Sequence, residues 1–296
     1  MAVTTQQSSK SLTWLITGCS SGFGLAFARE ALARGHKVIA TSRNPSRTPD
    51  LVTEITNQGG HWIKLDVDDP NCGAVISNLE SQGTQIDVLI NCAGFSIAGP
   101  LENFQEDEVR RLMETNFFGA YRLIRAAVPH MRKRRSGVIV NISTGSGFEA
   151  IESLGMYGAS KAALDGMTKT LHKEMKEFNV RVLLVPLGTF NTPMITSVRK
   201  VSKPLDPDYQ GTPAQKNMDI LDSGNFAAPG DHKKAIKVIC DVVMGEGVGK
   251  GLESEMMLPL GVDMAVRAIE VRDRIDHMME VFGDICNNVN VEAESK

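Results

Sequence analysis

No stretch of this 296-residue chain approaches the ~18 consecutive apolar residues that a membrane-spanning helix needs. The opening segment "MAVTTQQSSK" also lacks the apolar centre of a secretion signal. Five cysteines, at 19, 72, 92, 240 and 286, are odd in number and scattered, with no CxxC pair. They read as reduced thiols rather than as a disulfide frame or a zinc site. The six histidines show no HExxH spacing, so no metal is expected. Thirty-two basic residues against thirty-five acidic ones leave a net charge of −3, which gives nucleic acid no general electrostatic reason to bind. The expectation is a cytoplasmic protein without nucleic-acid or membrane partners.

A hydrophobic share of 42% is enough for a sizeable core, and the chain's length fits one large α/β domain or two small ones. Short apolar runs alternate with amphipathic stretches: "LTWLIT" (12–17), a helix over 22–34, then "KVIAT" (37–41). The strands continue at 61–67, 86–91, 137–143 and 180–186, with long helical patterns over 106–134 and 155–178. Unbroken Val/Ile/Leu strands alternating with helices imply a parallel sheet covered on both faces. The basic cluster "RKRR" (132–135) falls where the first long helix should stop, Gly137 following; a localisation signal or anion patch is the alternative reading. Residues 195–230 lose the periodicity and read as a lid over a site, or else as a surface excursion. Helices return at about 231–245 and 262–282.

Motifs sit at both ends of this pattern. "TGCSSGFG" (17–24) follows the first strand, and Gly18, Gly22 and Gly24 permit a tight turn into a helix whose N-terminus would face a pyrophosphate. At the end of the second strand stands Arg43, nineteen residues past Gly24, where an acid would favour an unphosphorylated ribose; Arg47 follows. A guanidinium there, with Ser21 able to donate as well, favours a 2′-phosphate and so NADP(H), unless the two are ordinary surface arginines. Downstream, "MYGASK" puts Tyr157 and Lys161 one helical turn apart, and "NISTGSG" (141–147) crowds Ser143, Thr144 and Ser146 after a strand. A lysine ammonium near a tyrosine favours the phenolate and makes the phenol a usable acid or base. Lid residues Met194, Ile195, Val198 and Val201, with Phe148 and Leu154, point to an apolar substrate if they are not plain core packing.

"TGCSSGFG", "NCAG" (91–94), "NFFG" (116–119), "NIST" (141–144) and "YGASK" together resemble the short-chain dehydrogenase/reductase family over about residues 12–285. "ATSR" and "LPLG" are most similar to its branch of 17β-hydroxysteroid and retinol dehydrogenases and their microbial relatives. The resemblance implies a Rossmann-type, doubly wound, seven-stranded parallel sheet in a single domain, between flexible tails at 1–11 and 286–296. It implies a catalytic set of Asn116, Thr144, Tyr157 and Lys161. Tyr157 is the general acid, Lys161 lowers its pKa and binds ribose, and Asn116 holds a water that completes a proton relay. The family's serine, thirteen residues before the tyrosine, is here Thr144; Ser143 should face away along the strand, and Ser146 is the alternative.

Cofactor contacts implied are Gly18, Ser20, Ser21, Gly22, Phe23, Gly24, Arg43, Asp66, Val67, Asn91, Ala93, Gly94, Tyr157, Lys161, Gly188, Phe190 and Thr192, with Asn91 mainly structural. Asp66 is the adenine contact. Proline is displaced in "VPLGTFNTPM" (185–194), so Leu187 stands where the family has it. The resemblance also implies a homodimer or homotetramer through the helices over 106–134 and 155–178. The activity expected is NADPH-dependent interconversion of a carbonyl and an alcohol. A cofactor-binding scaffold and a non-redox enzyme on the same fold are the alternatives.

Overall fold

The computed structural model describes residues 11–223 and 228–290. Eight strands alternate with eleven helices along these residues. In chain order they begin β1 (Thr13–Ile16), α1 (Gly22–Ala33), β2 (Lys37–Ser42), α2 (Pro49–Asn57), β3 (His61–Lys64), α3 (Ala74–Ser81), β4 (Val88–Asn91) and β5 (Ile97–Ala98). There follow α4 (Glu106–Met113), α5 (Gly119–Arg134), β6 (Val138–Thr144), α6 (Gly145–Phe148), α7 (Gly155–Met175) and β7 (Arg181–Leu187). The chain then runs through α8 (Pro193–Thr196), β8 (Arg199–Lys200), α9 (Pro213–Asp222), α10 (His232–Met244) and α11 (Val262–Asn287).

Six strands form one parallel sheet in the order β3-β2-β1-β4-β6-β7. Alternate side chains of each strand enter two cores. Trp14, Ile16, Val88 and Ile90 pack with Phe27 of α1 and Ile236 and Ile239 of α10, while Leu15 and Leu89 pack with Leu123 and Ile124 of α5. That two-sided burial is why the strands read as unbroken apolar runs. After β3 the chain crosses back to the other side of β1, so the ends of β1 and β4 splay around a crevice, the place where open α/β sheets bind ligands.

The seventh strand expected of the sheet is reduced to two isolated parallel bridges beside β7, Leu184 with Met257 and Leu187 with Leu260. Leu184 N donates to Met256 O, Leu258 N to Leu184 O, Leu260 N to Pro186 O and Gly188 N to Leu260 O. Pro186 has no N–H to donate between them, so the ladder is cut in its middle. The same displaced proline that departs from the family motif thus costs the sheet a regular edge strand.

The pattern over 106–134 is not one helix. A π turn, Glu114–Phe118, separates α4 from α5 and carries Asn116. The basic cluster is a helix end, as read: α5 stops at Arg134, Arg135 takes the left-handed conformation (φ 55°), and Arg134 pairs with Glu80 at 2.8 Å. The segment 195–230 contains α9 and β8, which pairs with β5 in a separate two-stranded sheet; residues 224–227 lie outside the described residues. The tail expected over 1–11 lies outside them too, save Ser11, and the one expected from 286 is overlapped by α11, which continues to Asn287. No helix among the described residues is long and apolar enough to cross a membrane.

Candidate active site

One cavity of about 630 Å³ opens at the crevice. Its floor begins with Thr17, whose hydroxyl oxygen accepts from Cys92 N (2.9 Å) and Ala93 N (3.0 Å), tying the end of β1 to the end of β4. Gly18 holds a φ of +75°, and a Cβ there would stand 3.0 Å from Ala93 Cα; a Cβ on Gly24 would run into Gly18 O. Glycine is therefore required at both, because backbone packs on backbone. Ser21 is the N-cap of α1 yet its hydroxyl makes no capping bond among the described residues, and the first turn carries no acid. The free N–H groups of that turn, with Ser20, Ser21, Gly22 and Phe23 around them, form an anion cradle facing the cavity. Phe23 meets Phe190 edge-on at 5.4 Å and closes the floor.

At the far end, Arg43, Asp66 and Val67 also line the cavity. The Arg43 side chain is 63% exposed and stands 3.9 Å from Asp68, a loose pairing that leaves its donors available. Arg47 lies exposed in the turn Pro45–Arg47 and does not line the cavity. Asn91 corrects an expectation: its side chain is turned away from the cavity, with Nδ2 donating to Asn141 Oδ1 at 2.8 Å, and Asn141 in turn donates to Thr168. It ties β4 to β6 and α7. The open cradle at the N-terminus of α1 and the cavity that runs from it fit a nicotinamide dinucleotide.

Thr144, Tyr157 and Lys161 converge at the opposite end. Thr144 closes β6 and caps α6, accepting weakly from Ser146 N at 3.3 Å, and its hydroxyl lies near that of Tyr157 without a direct hydrogen bond to it. Ser143 points the other way, its hydroxyl facing the Asp165 carboxyl of α7, as strand alternation requires. Burial pushes the Tyr157 phenol up to about 12; the nearby Thr144 hydroxyl pulls it down, and Asp165 and Cys92 add to the rise. The lowering expected from Lys161 is not present in this state, for Lys161 is itself buried, its ammonium disfavoured, and Nζ donates to Ile142 O at 2.9 Å.

Asn116 stands just behind. Its Nδ2 donates to Phe95 O and Ser160 Oγ (both 3.0 Å), and its Oδ1 accepts from Phe95 N at 3.1 Å. These bonds draw the side chain into the helix and account for the π turn. Gly94 leaves room for it: a Cβ there would lie 3.0 Å from Asn116 Oδ1 and 3.5 Å from Lys161 Nζ.

Gly188, Phe190 and Thr192 bound the cavity from the loop after β7. The residue that fixes this loop, Asp263, escaped sequence reasoning. Its carboxylate accepts from Thr189 N (3.1 and 3.0 Å) and Thr189 Oγ1 (2.9 Å), and it occupies the space where a Cβ on Gly188 would fall. A glycine and an acid 75 residues apart carry no local signal, so only the fold shows the pairing. Met194 was read as lid, but it reaches further: Tyr157 OH donates to its Sδ at 3.9 Å, so the thioether covers the phenol. Cys92, where the family motif has asparagine, is half-buried in the cavity wall with its thiol raised to about 12 by burial. It was not read as a site residue.

The sequence profile described as short chain dehydrogenase matches residues 13–203. Oxidoreductase claN of Passalora fulva is 44% identical over 62% of this chain and 84% of its own length. Retinol dehydrogenase 8 of Bos taurus is 36% identical over 60% of this chain, a match that spans 58% of that protein. Among solved structures, a short-chain dehydrogenase from Streptomyces avermitilis superposes with a TM-score of 0.83 at 30% identity, covering 95% of this chain and all of that one.

Proposed function

Since this chain belongs to the short-chain dehydrogenase family of oxidoreductases, we propose that it interconverts a ketone or aldehyde with an alcohol, using NADP(H), on a small apolar substrate. The observation that carries the reading is that Thr144, Tyr157 and Lys161 line one end of the cavity whose other end is the open N-terminus of α1. A bound NADPH supplies the hydride. The chain's own part is to orient and to move a proton. Thr144 Oγ1 and Tyr157 OH hold the carbonyl oxygen and the alkoxide that develops on it, a pair of donors placed before the reaction starts. Tyr157 OH then gives its proton, and it is resupplied from Lys161 Nζ through a water held at Asn116.

A phenol near 12 is a protonated donor at neutral pH, which suits reduction. For oxidation the phenolate is needed, and the positive charge that Lys161 brings when its Nζ turns from Ile142 O toward the ribose favours it. Arg43, exposed and loosely paired, supports the phosphorylated cofactor. Leu154, Ile195 and Val198 line the substrate end, and the name of a relative, retinol dehydrogenase 8, is in keeping with an apolar alcohol. The domain we assign spans 12–285, and pairing of copies through α4–α5 and α7 follows the family's habit.

The test is NADPH oxidation with a panel of ketones, aldehydes and quinones, comparing the protein with Tyr157→Phe. Turnover that disappears in the variant while NADPH still quenches its fluorescence supports the reading. Turnover that persists overturns Tyr157 as the acid.

A further inference from the structure

The C-terminal helix carries a pattern that the catalytic reading does not use. Met264, Ala268 and Val271 start a row of apolar residues spaced alternately four and three apart, and Ile275, Met278, Phe282, Ile285 and Val289 continue it without a break. That alternation is the seam of a helix that packs against another helix. Burial follows the row only at its start. Met264 is 1% exposed against the floor of the site, and Ala268 and Val271 are half-buried. Beyond the Arg274–Glu149 ion pair, every residue from Ile275 to Asn290 is exposed save the half-buried Gly283, with Ile275, Met278 and Phe282 at about half and Ile285 at 63%. Met279 and Val281, also about half exposed, flank the row and widen it. A helical stretch of this length is marginal in water without packing, and an apolar face this continuous marks a binding surface.

We propose that α11 pairs antiparallel with α11 of a second copy across a two-fold axis. Charge selects the direction. The three arginines of residues 265–274 are each paired within their own chain, Arg267 with Asp263, Arg272 with Asp273 and Arg274 with Glu149, while residues 275–287 hold Asp276, Glu280 and Asp284 and no Lys or Arg. A parallel copy sets the acidic half on the acidic half, whereas an antiparallel one keeps the two apart. The seam is also self-complementary, as a two-fold contact requires. In the register that seats one row in the other, Ile275 meets the partner's Met278, Val271 meets the partner's Phe282 and Ala268 meets the partner's Ile285. Half-exposed side chains along this row amount to on the order of 600 Å² per copy, close to the ~800 Å² per partner that a standard interface buries. The inference does not depend on which reaction the site performs.

The test labels the full-length protein with a nitroxide at Cys286, the exposed cysteine, the other four being buried or half-buried. The antiparallel register sets Cys286 beside the partner's Arg267, so the two labels stand about 30 Å apart at 1.5 Å per residue. Sedimentation should give at least twice 32.2 kDa, and pulsed dipolar spectroscopy should give that distance. Phe282→Glu should abolish the distance and lower the helical circular dichroism by no more than the exposed part of α11, with the cooperative melt of the domain retained, even if another interface keeps the mass up. A monomer at tens of micromolar, a distance near 10 Å, a distance that survives Phe282→Glu, or pairing replaced by binding to anionic vesicles would each overturn the proposal.

Discussion

Replacing Thr144 by valine keeps the shape of the side chain and removes its hydroxyl. One bond is lost in the resting state, the cap on α6, a 3.3 Å contact to Ser146 N whose removal costs about 1 kcal/mol of stability. On the proposed reading a second is lost where charge builds on the substrate oxygen. Removing one such preorganised donor lowers turnover by roughly 10²–10³, or about 3–4 kcal/mol in the barrier. The loss should fall on kcat more than on KM, because the contact strengthens only as the alkoxide forms. Thr144→Ser should retain activity within a few-fold. With the Tyr157 phenol raised to about 12, reduction should show no alkaline limb from this group below pH 10.5 in either protein. The assay is NADPH oxidation at saturating cofactor from pH 6 to 10.5. Unchanged kcat in Thr144→Val together with collapse in Ser146→Ala would refute the assignment and pass the role to Ser146.

Arg43→Ala should weaken NADPH binding roughly 10- to 100-fold and leave NADH within a few-fold, because a charge-assisted bond to phosphate is worth about 1.5–3 kcal/mol; fluorescence titration of the two cofactors checks it. Asn116→Ala strips two bonds to Phe95 and one to Ser160 and should lower stability by about 2–4 kcal/mol, read from urea melts, with activity lost alongside. Tyr157 also links stability to pH. Its phenol titrates near ~10 unfolded and about 12 folded, so the native state keeps its proton longer, and about 3 kcal/mol present below pH 10 is lost as pH rises toward 12. Tyr157→Phe should flatten that part of the alkaline stability curve; an equal slope in both proteins would remove burial as the cause.

What could be read in advance was whatever the backbone demands locally. The turn at Gly18–Gly24 was legible because two positions there tolerate no Cβ, and the strands because both faces of the sheet are covered. Tyr157 and Lys161 stand one turn apart on one helix, a spacing common enough that only the resemblance of the surrounding motifs singled them out. Short helices such as α2 and α3, nine and eight residues long, leave too few turns for a period to register. The π turn at Asn116 was hidden because one wide turn barely shifts the apolar pattern on either side of it. The seventh strand failed through a missing donor, an effect of Pro186 on hydrogen bonds that leaves the apolar pattern of β7 intact. Asp263 could not be read at all, since its partner Thr189 is remote in sequence and meets it only because α11 begins beside the end of β7.

That meeting joins the two halves of the molecule's chemistry. The first turn of α11 holds the Gly188–Thr189 loop by three acceptor contacts from one carboxylate, and Met264 and Arg267 press on Gly145 next to Thr144, where a Cβ would lie 2.9 Å from either side chain. The loop that bounds the cofactor end and the segment that carries the reacting hydroxyl therefore rest on the same two turns of one helix. Those turns are held by the Asp263 bonds and the buried Met264, and beyond them the ion pair of Arg274 with Glu149 sits on a side chain 59% exposed and contributes little. Covering the apolar row beyond Ile275 removes the fraying that begins at an unsupported helix end. The geometry at Thr144 and Gly188 is on this account steadied by the paired helix, and a change at Phe282, far from any reacting atom, reaches the site through helix order and not through contact.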